Sequence, residues 1–238
     1  MIRKKFTKMR GIVLALVFVV FASADNIEEN VCYTHVENKC SEPVESWTTG
    51  GCNSIHGGFS GNSNNLHRII VDDFTDSMAY LIMASSYNTD VKNHMGFHKL
   101  FMEKSDKMWA RGKDMMQYVL QRGGKMGGGF QIPPVGASQM LLGLDYNDEI
   151  KGLGITLDLL KHRAEDTLIA YMHSYKTKSD GTDSSFDPAT AHKLEELSEG
   201  YAEEIRDTAE KLNTLGRMVK TDSSKNLALH LFDQALLG

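Results

Sequence analysis

G-L-G-I-T-L-D-L-L-K-H-R-A-E-D-T-L-I-A-Y-M-H-S-Y, from Gly152 to Tyr175, is the stretch that decides the fold. Its residues Leu153, Leu157, Leu160, Ala164, Leu168, Tyr171 and Tyr175 step by 4, 3, 4, 4, 3 and 4. Steps of three and four put side chains on one face of an α-helix, so the stretch predicts a long amphipathic helix.

The same period recurs on both sides. Leu66, Ile69, Ile70 and Phe74 begin a stripe that runs through Leu81 to about Tyr87. After Asn88-Thr89-Asp90, a second helix is expected from about Asp90 to Leu120, with Phe97, Phe101, Met108, Met115 and Val119 on one face. Gly123-Gly124 ends it. Gly127-Gly128-Gly129 and Pro133-Pro134 then mark a long connection, suited to a crossover along a bundle and not to a tight hairpin. Asp187-Pro188 starts a fourth helix, with Leu194, Leu197, Tyr201, Ile205, Thr208, Leu212 and Leu215 inward. A short fifth helix, Asn226 to Leu237, carries Leu227, Leu231, Leu236 and Leu237. The expected fold is all-α: a four-helix bundle with one long crossover, a short C-terminal helix and an irregular N-terminal extension.

The chain has 238 residues, enough for one sizeable domain with appendages. Residues 1–24 read as a secretory signal peptide. Arg3, Lys4, Lys5, Lys8 and Arg10 precede an apolar run from Gly11 to Phe21, and Ala22-Ser23-Ala24 gives a cleavage signal. The run is short for a membrane span. The whole chain has 26 basic and 31 acidic residues, and removing the five basic ones of the signal leaves 21 against 31, a net charge of −10. That excess argues against nucleic acid and anionic membranes as partners and suits a protein that attracts cations.

Residues 25–63 show no sustained helical period, and F-S-G-N-S-N-N (Phe59 to Asn65) reads as irregular. All three cysteines, Cys32, Cys40 and Cys52, fall in this extension. A secreted chain is expected to form disulfides, and an odd count leaves one cysteine over. One internal bridge with one bond to another subunit is the expectation. A free or buried thiol, or mixed-disulfide exchange, is the alternative. Residues 64–238 make the bundle domain.

Four markers then carry a family likeness: Tyr80-Leu81 on the first helix, the Q-R-G-G turn (Gln121 to Gly124), the D-P start of the fourth helix, and the tail L-F-D-Q-A-L-L-G (Leu231 to Gly238). With them the chain resembles a ferritin subunit of the secreted, insect type. The resemblance covers about Leu66 to Gly238. It implies a ferritin-like bundle in a hollow 24-subunit cage that stores iron as ferric mineral, with heavy- and light-type subunits mixed and sometimes disulfide-linked.

The resemblance also places the family's iron-oxidising centre. The first-helix carboxylate position falls on Asp73, beside Tyr80 one turn beyond the next. The second-helix E-x-x-H positions fall on Met108 and Arg111, within D-K-M-W-A-R, and the third-helix carboxylate on Lys161. Iron oxidation needs two ions held by carboxylates and an imidazole. A positive side chain ~5 Å from a dication costs ~6–7 kcal/mol at an effective dielectric near 20. Arg111 and Lys161 therefore oppose metal entry, and Asp73 is expected to serve as their counterion, with a remnant iron ligand as the alternative. Arg111 or Lys161 should lie close to Asp73.

Other positions keep roles the resemblance implies. Glu103 and Asp106 match the face that nucleates mineral, and His192 and Glu195 match the channel that admits ferrous iron. His94 and His98 sit four apart, a metal-capable spacing, but no third ligand is evident and packed or solvated rings are expected. The resulting expectation is a secreted, non-catalytic light-chain-type subunit that handles iron beside heavy-type partners. A ferroxidase built on Asp73 and Tyr80 with nonstandard ligands, and a secreted helical binding protein without an iron role, are the competing readings.

Overall fold

The computed structural model describes residues 53–126, 148–176, 185–221 and 225–238. The expected signal peptide, Cys32, Cys40 and Cys52, and the glycine- and proline-rich part of the connection lie outside the described residues. The chain divides after Ser54. Of the first unit only Asn53 and Ser54 are described. The second, Ile55–Gly238, contains five helices: α1 Phe59–Tyr87, α2 Met95–Gln121, α3 Glu149–His173, α4 Pro188–Thr221 and α5 Lys225–Leu237.

α1 begins at Phe59, seven residues before the expected stripe. The residues Phe59 to Asn65 are helical and not irregular, because tertiary contacts override the weak helix propensity of Gly, Ser and Asn. Phe59 is buried under the Arg122 guanidinium, 5.1 Å from its ring centre. Asn62 donates through Nδ2 to Gly58 O at 3.0 Å and Ser185 O at 2.7 Å. Gly58 is required here, since a Cβ would lie 2.5 Å from the Ser185 backbone.

Residues 88–94 form a turn and not the first part of α2. Asn93 takes the left-handed conformation, φ 49°, which Asn tolerates. The α2 C-terminus closes as the glycine pair requires: Gly123 has φ +81°, and Gly124 N–H donates to Val119 O at 2.9 Å. Asp148 caps α3 by accepting from Ile150 N–H at 3.0 Å and Lys151 N–H at 3.3 Å.

α1 and α2 pack antiparallel, with Tyr87 at the end of α1 stacked on Phe97 at the start of α2, 5.4 Å between ring centres. α3 and α4 form the second pair. The end of α2 meets the start of α4, where Arg122 Nη2 donates to Asp187 Oδ2 at 2.9 Å. The start of α3 lies at the opposite end, where His94 Nδ1 is 3.0 Å from Glu149 Oε1. α2 and α3 therefore run in the same direction, and their connection joins opposite ends of a bundle about 40 Å long at 1.5 Å per residue. That is the one-crossover topology the sequence predicts.

The core combines Leu66, Ile70, Tyr80, Met83 and Tyr87 with Phe97, Phe101, Met108, Met115, Leu153, Leu160, Leu194 and Tyr201. Two faces differ from expectation. On α3 Leu168 is exposed, as is Tyr175 just past its end, while Thr167 and Ala170 turn inward. At this end the buried Thr167, Ala170 and Ser174 each precede the expected position by one residue, which turns the inward face by about 100°. On α5, Ala228, Leu229, Phe232 and Asp233 are buried, while Leu227, Leu231 and Leu237 remain exposed.

Candidate functional site

The bundle centre is charged. Asp73 on α1 is fully buried, and Arg111 on α2 reaches it directly. Arg111 donates to Asp73 Oδ1 through Nε at 2.9 Å and Nη2 at 2.5 Å. Nη2 also donates to Tyr201 Oη at 2.6 Å, and the guanidinium lies 4.1 Å from the Tyr201 ring centre. Met108 Sδ accepts from the same nitrogen at 2.7 Å. Glu204 on α4 approaches Arg111 Nη1 at 3.8 Å and Lys107 Nζ at 3.1 Å.

A second ion group lies between α1 and α3. Arg163 binds Asp76 with two bonds, Nε to Oδ2 at 2.7 Å and Nη2 to Oδ1 at 3.1 Å. Its Nη1 lies 3.0 Å from Asp72 and 3.7 Å from Asp166. Lys161, expected at the centre, is exposed. The correction is one of helix phase: two residues along α3 turn the side chain by about 200°, so Arg163 faces α1 where Lys161 cannot.

The pKa directions follow from burial. Desolvation raises Asp73 to about 6, against the Arg111 charge and hydrogen bond that lower it. Burial pulls Arg111 down, but Asp73 and Tyr201 outweigh it and hold the guanidinium firmly protonated. Tyr80 and Tyr201 are pushed up by burial, so both hydroxyls keep their protons at neutral pH. The Thr156 hydroxyl lies close enough to Tyr80 to oppose the shift, and the Tyr80 ring stacks with Phe101 at 6.4 Å. Desolvation also raises Asp72, with Arg163 opposing.

This arrangement neutralises anions with cations already in place. Among the described residues no group of three His, Cys, Asp or Glu side chains is arranged to hold a metal ion. A metal ion placed in the bundle centre would meet the fixed positive charge of Arg111.

The remaining sequence-derived positions lie on the surface. Glu103 and Asp106 are exposed on α2. His192 and Glu195 are exposed on α4, with His192 Nδ1 3.8 Å from Glu195 and Nε2 3.7 Å from Glu196. His94 and His98 do not act together: His94 faces Glu149, and His98 Nδ1 lies 3.0 Å from Ala84 O. Arg163, Asp76 and Glu204 escaped the sequence reading. Asp76 follows Asp73 by three residues, a spacing that puts both on one side of α1, and this was the available signal.

No protein-family model matches the chain. It is similar to the ferritin light chain of Trichoplusia ni, 28% identical over 234 residues, covering 96% of this chain and 98% of that one. It is also similar to the ferritin light chain of Drosophila melanogaster, 28% identical over 210 residues, covering 88% of this chain and 90% of that one. The crystal structure of Trichoplusia ni secreted ferritin superposes with a TM-score of 0.67 at 25% identity, covering 87% of this chain and 97% of that chain. No helix among the described residues is long and apolar enough to cross a membrane. Likeness along nearly the whole of both chains, joined to the shared bundle, makes this protein a ferritin light chain homologue.

Proposed function

We propose that the chain is a non-ferroxidase, light-chain-type subunit of a secreted ferritin cage, storing iron in a soluble, nontoxic ferric form. The observation that carries this reading is Arg111 bonded to Asp73 in the bundle centre. Asp73 acts there as a counterion. Met108 and Arg111 stand where a catalytic subunit would supply its second-helix ligands. Oxidation then belongs to heavy-type partners in a mixed 24-subunit shell.

In that shell iron is cargo, ferrous in transit and ferric once stored. Glu103 and Asp106 gather ferric ions on the cavity face, and His192 with Glu195 lines the entry channel. Residues 1–24 direct the chain into the secretory pathway and are removed. Among Cys32, Cys40 and Cys52, one cysteine links to a partner subunit. The exposed Leu227 and Leu231 of α5 support assembly, since an isolated chain gains nothing from an outward apolar stripe.

Stopped-flow oxidation of ferrous iron by the purified homopolymer tests the reading. The expected trace has no fast phase stoichiometric with subunits. Fast, stoichiometric oxidation would make the chain a ferroxidase with nonstandard ligands instead. Non-reducing electrophoresis of material from native tissue should show the heavy-type partner and its cross-link together.

A further inference from the structure

Lys104 lies apart from the central ion pairs, where α2, α4 and α5 meet. It is almost fully buried. Its ammonium donates to Thr208 Oγ1 at 3.1 Å, and among the described residues no carboxylate forms an ion pair with it. Burial pulls its pKa below the ordinary lysine range; Glu204 and Asp207 oppose the shift, while Lys211 and Lys107 add to it. A lysine desolvated beside other cations is the usual form of an activated amine.

The side chain lines a cleft of about 450 Å³, within the ~300–1,000 Å³ of small-molecule sites. Leu100 and Leu236 supply an apolar wall, and Glu103 lies on its border. Lys107 and Lys211 flank Lys104, paired with Glu204 and Asp207 respectively. Glu204 is buried and already ion-paired, 3.1 Å from Lys107 and 3.8 Å from Arg111. The cleft thus holds a buried amine with Thr208 as its hydrogen-bond partner, a buried carboxylate, and two further ammonium groups.

We propose that Lys104 is a covalent site for small aldehydes bearing a phosphate, held as Schiff bases. Lys107 and Lys211 attract the phosphate, whose charge of nearly −2 competes with single carboxylates for them. The neutral Lys104 amine attacks the carbonyl carbon, forming the C–N bond as the carbonyl π bond opens. Nitrogen gives up both of its protons, the former carbonyl oxygen gains two, and it leaves as water as the imine forms. Amine and aldehyde give imine and water, so no oxidant or reductant is consumed.

The test treats the assembled protein with pyridoxal 5′-phosphate as probe, reduces with borohydride, and maps labelled lysines by mass spectrometry of peptides. A lowered pKa raises the reactive neutral fraction of the amine, so Lys104 should be the leading site, labelled ahead of exposed Lys113 and Lys151. Lys104→Arg should remove the leading site. Pyridoxal without phosphate should label Lys104 more slowly. Label spread over the exposed lysines, with Lys104 unmodified or level with Lys113, would overturn the site. Equal labelling by both aldehydes would overturn the phosphate assignment. Mapping of the unmutated protein decides the matter even where the arginine variant fails to fold.

Discussion

Asp73 spends one oxygen on Arg111 and leaves the other, Oδ2, buried without a hydrogen bond. Burial therefore outweighs the ion pair, and its pKa stands at about 6 against an ordinary 3.8. A folded-state pKa above the unfolded value means the fold holds this proton more tightly. The group's contribution to stability is complete below about pH 4 and is lost as pH rises through about 6, roughly 3 kcal/mol at 1.36 kcal/mol per unit. Infrared difference spectra between pH 5 and 7 should show a protonated-carboxyl band that Asp73→Asn removes. Arg111→Leu should move its midpoint upward, since it deletes the cation that lowers Asp73. A midpoint near 4 in the unmutated protein would mean that Arg111 dominates over burial. The proximity of Arg111 to Asp73 was legible because Tyr80 and the Q-R-G-G turn set the phase of α1 and α2. No such marker lies within α3, and so Lys161 was expected where Arg163 stands.

α5 docks on α2 through one carboxylate and one glycine. Asp233 Oδ1 accepts from Phe97 N–H at 3.0 Å, so a residue distant in sequence satisfies a free amide in the first turn of α2. Gly96 lets the backbones close, since a Cβ there would lie 2.0 Å from Asp233 O. Lys99 Nζ donates to Leu237 O at 3.0 Å and holds the far end of α5. Asp233→Ala should cost about 1 kcal/mol, the usual value of a lost helix cap. Gly96→Ala should cost more, because it must displace the helix. Denaturant unfolding should rank the variants in that order, with protease cutting α5 free sooner in Gly96→Ala. Equal midpoints would mean that α5 is held by its apolar face alone. The existence of α5 was legible from its leucines, but its buried face was not. Leucine content marks an apolar helix, whereas Asp233 turns inward only because α2 offers an amide to it. The early start of α1 was hidden for a similar reason, since Asn62 meets Ser185 and His173, both more than a hundred positions away.

At the scale of the molecule, several apolar side chains of the described helices stay about half exposed. Leu168, Ile169 and Met172 lie exposed on α3, and Leu227 and Leu231 on α5. Single exposed leucines are ordinary, but repeats along one helix face mark an interface. Leu227 and Leu231 are four residues apart, so one helix face presents both. In a closed symmetric shell each copy offers the same face about a rotation axis, and one substitution is repeated in every subunit that meets there. Placing glutamate at both positions would bring like charges together at that axis and desolvate them. The bundle itself should tolerate the change, since the buried side of α5 is Ala228, Leu229, Phe232 and Asp233. The expected outcome for the Leu227→Glu, Leu231→Glu double variant is full helical content by circular dichroism and a small species by sedimentation velocity, in place of a shell. A variant that still sediments as a shell would place the assembly contacts elsewhere, with the exposed face of α3 as the next surface to change. Loss of helicity along with assembly would mean instead that α5 cannot hold its place on α2 without its neighbours in the shell.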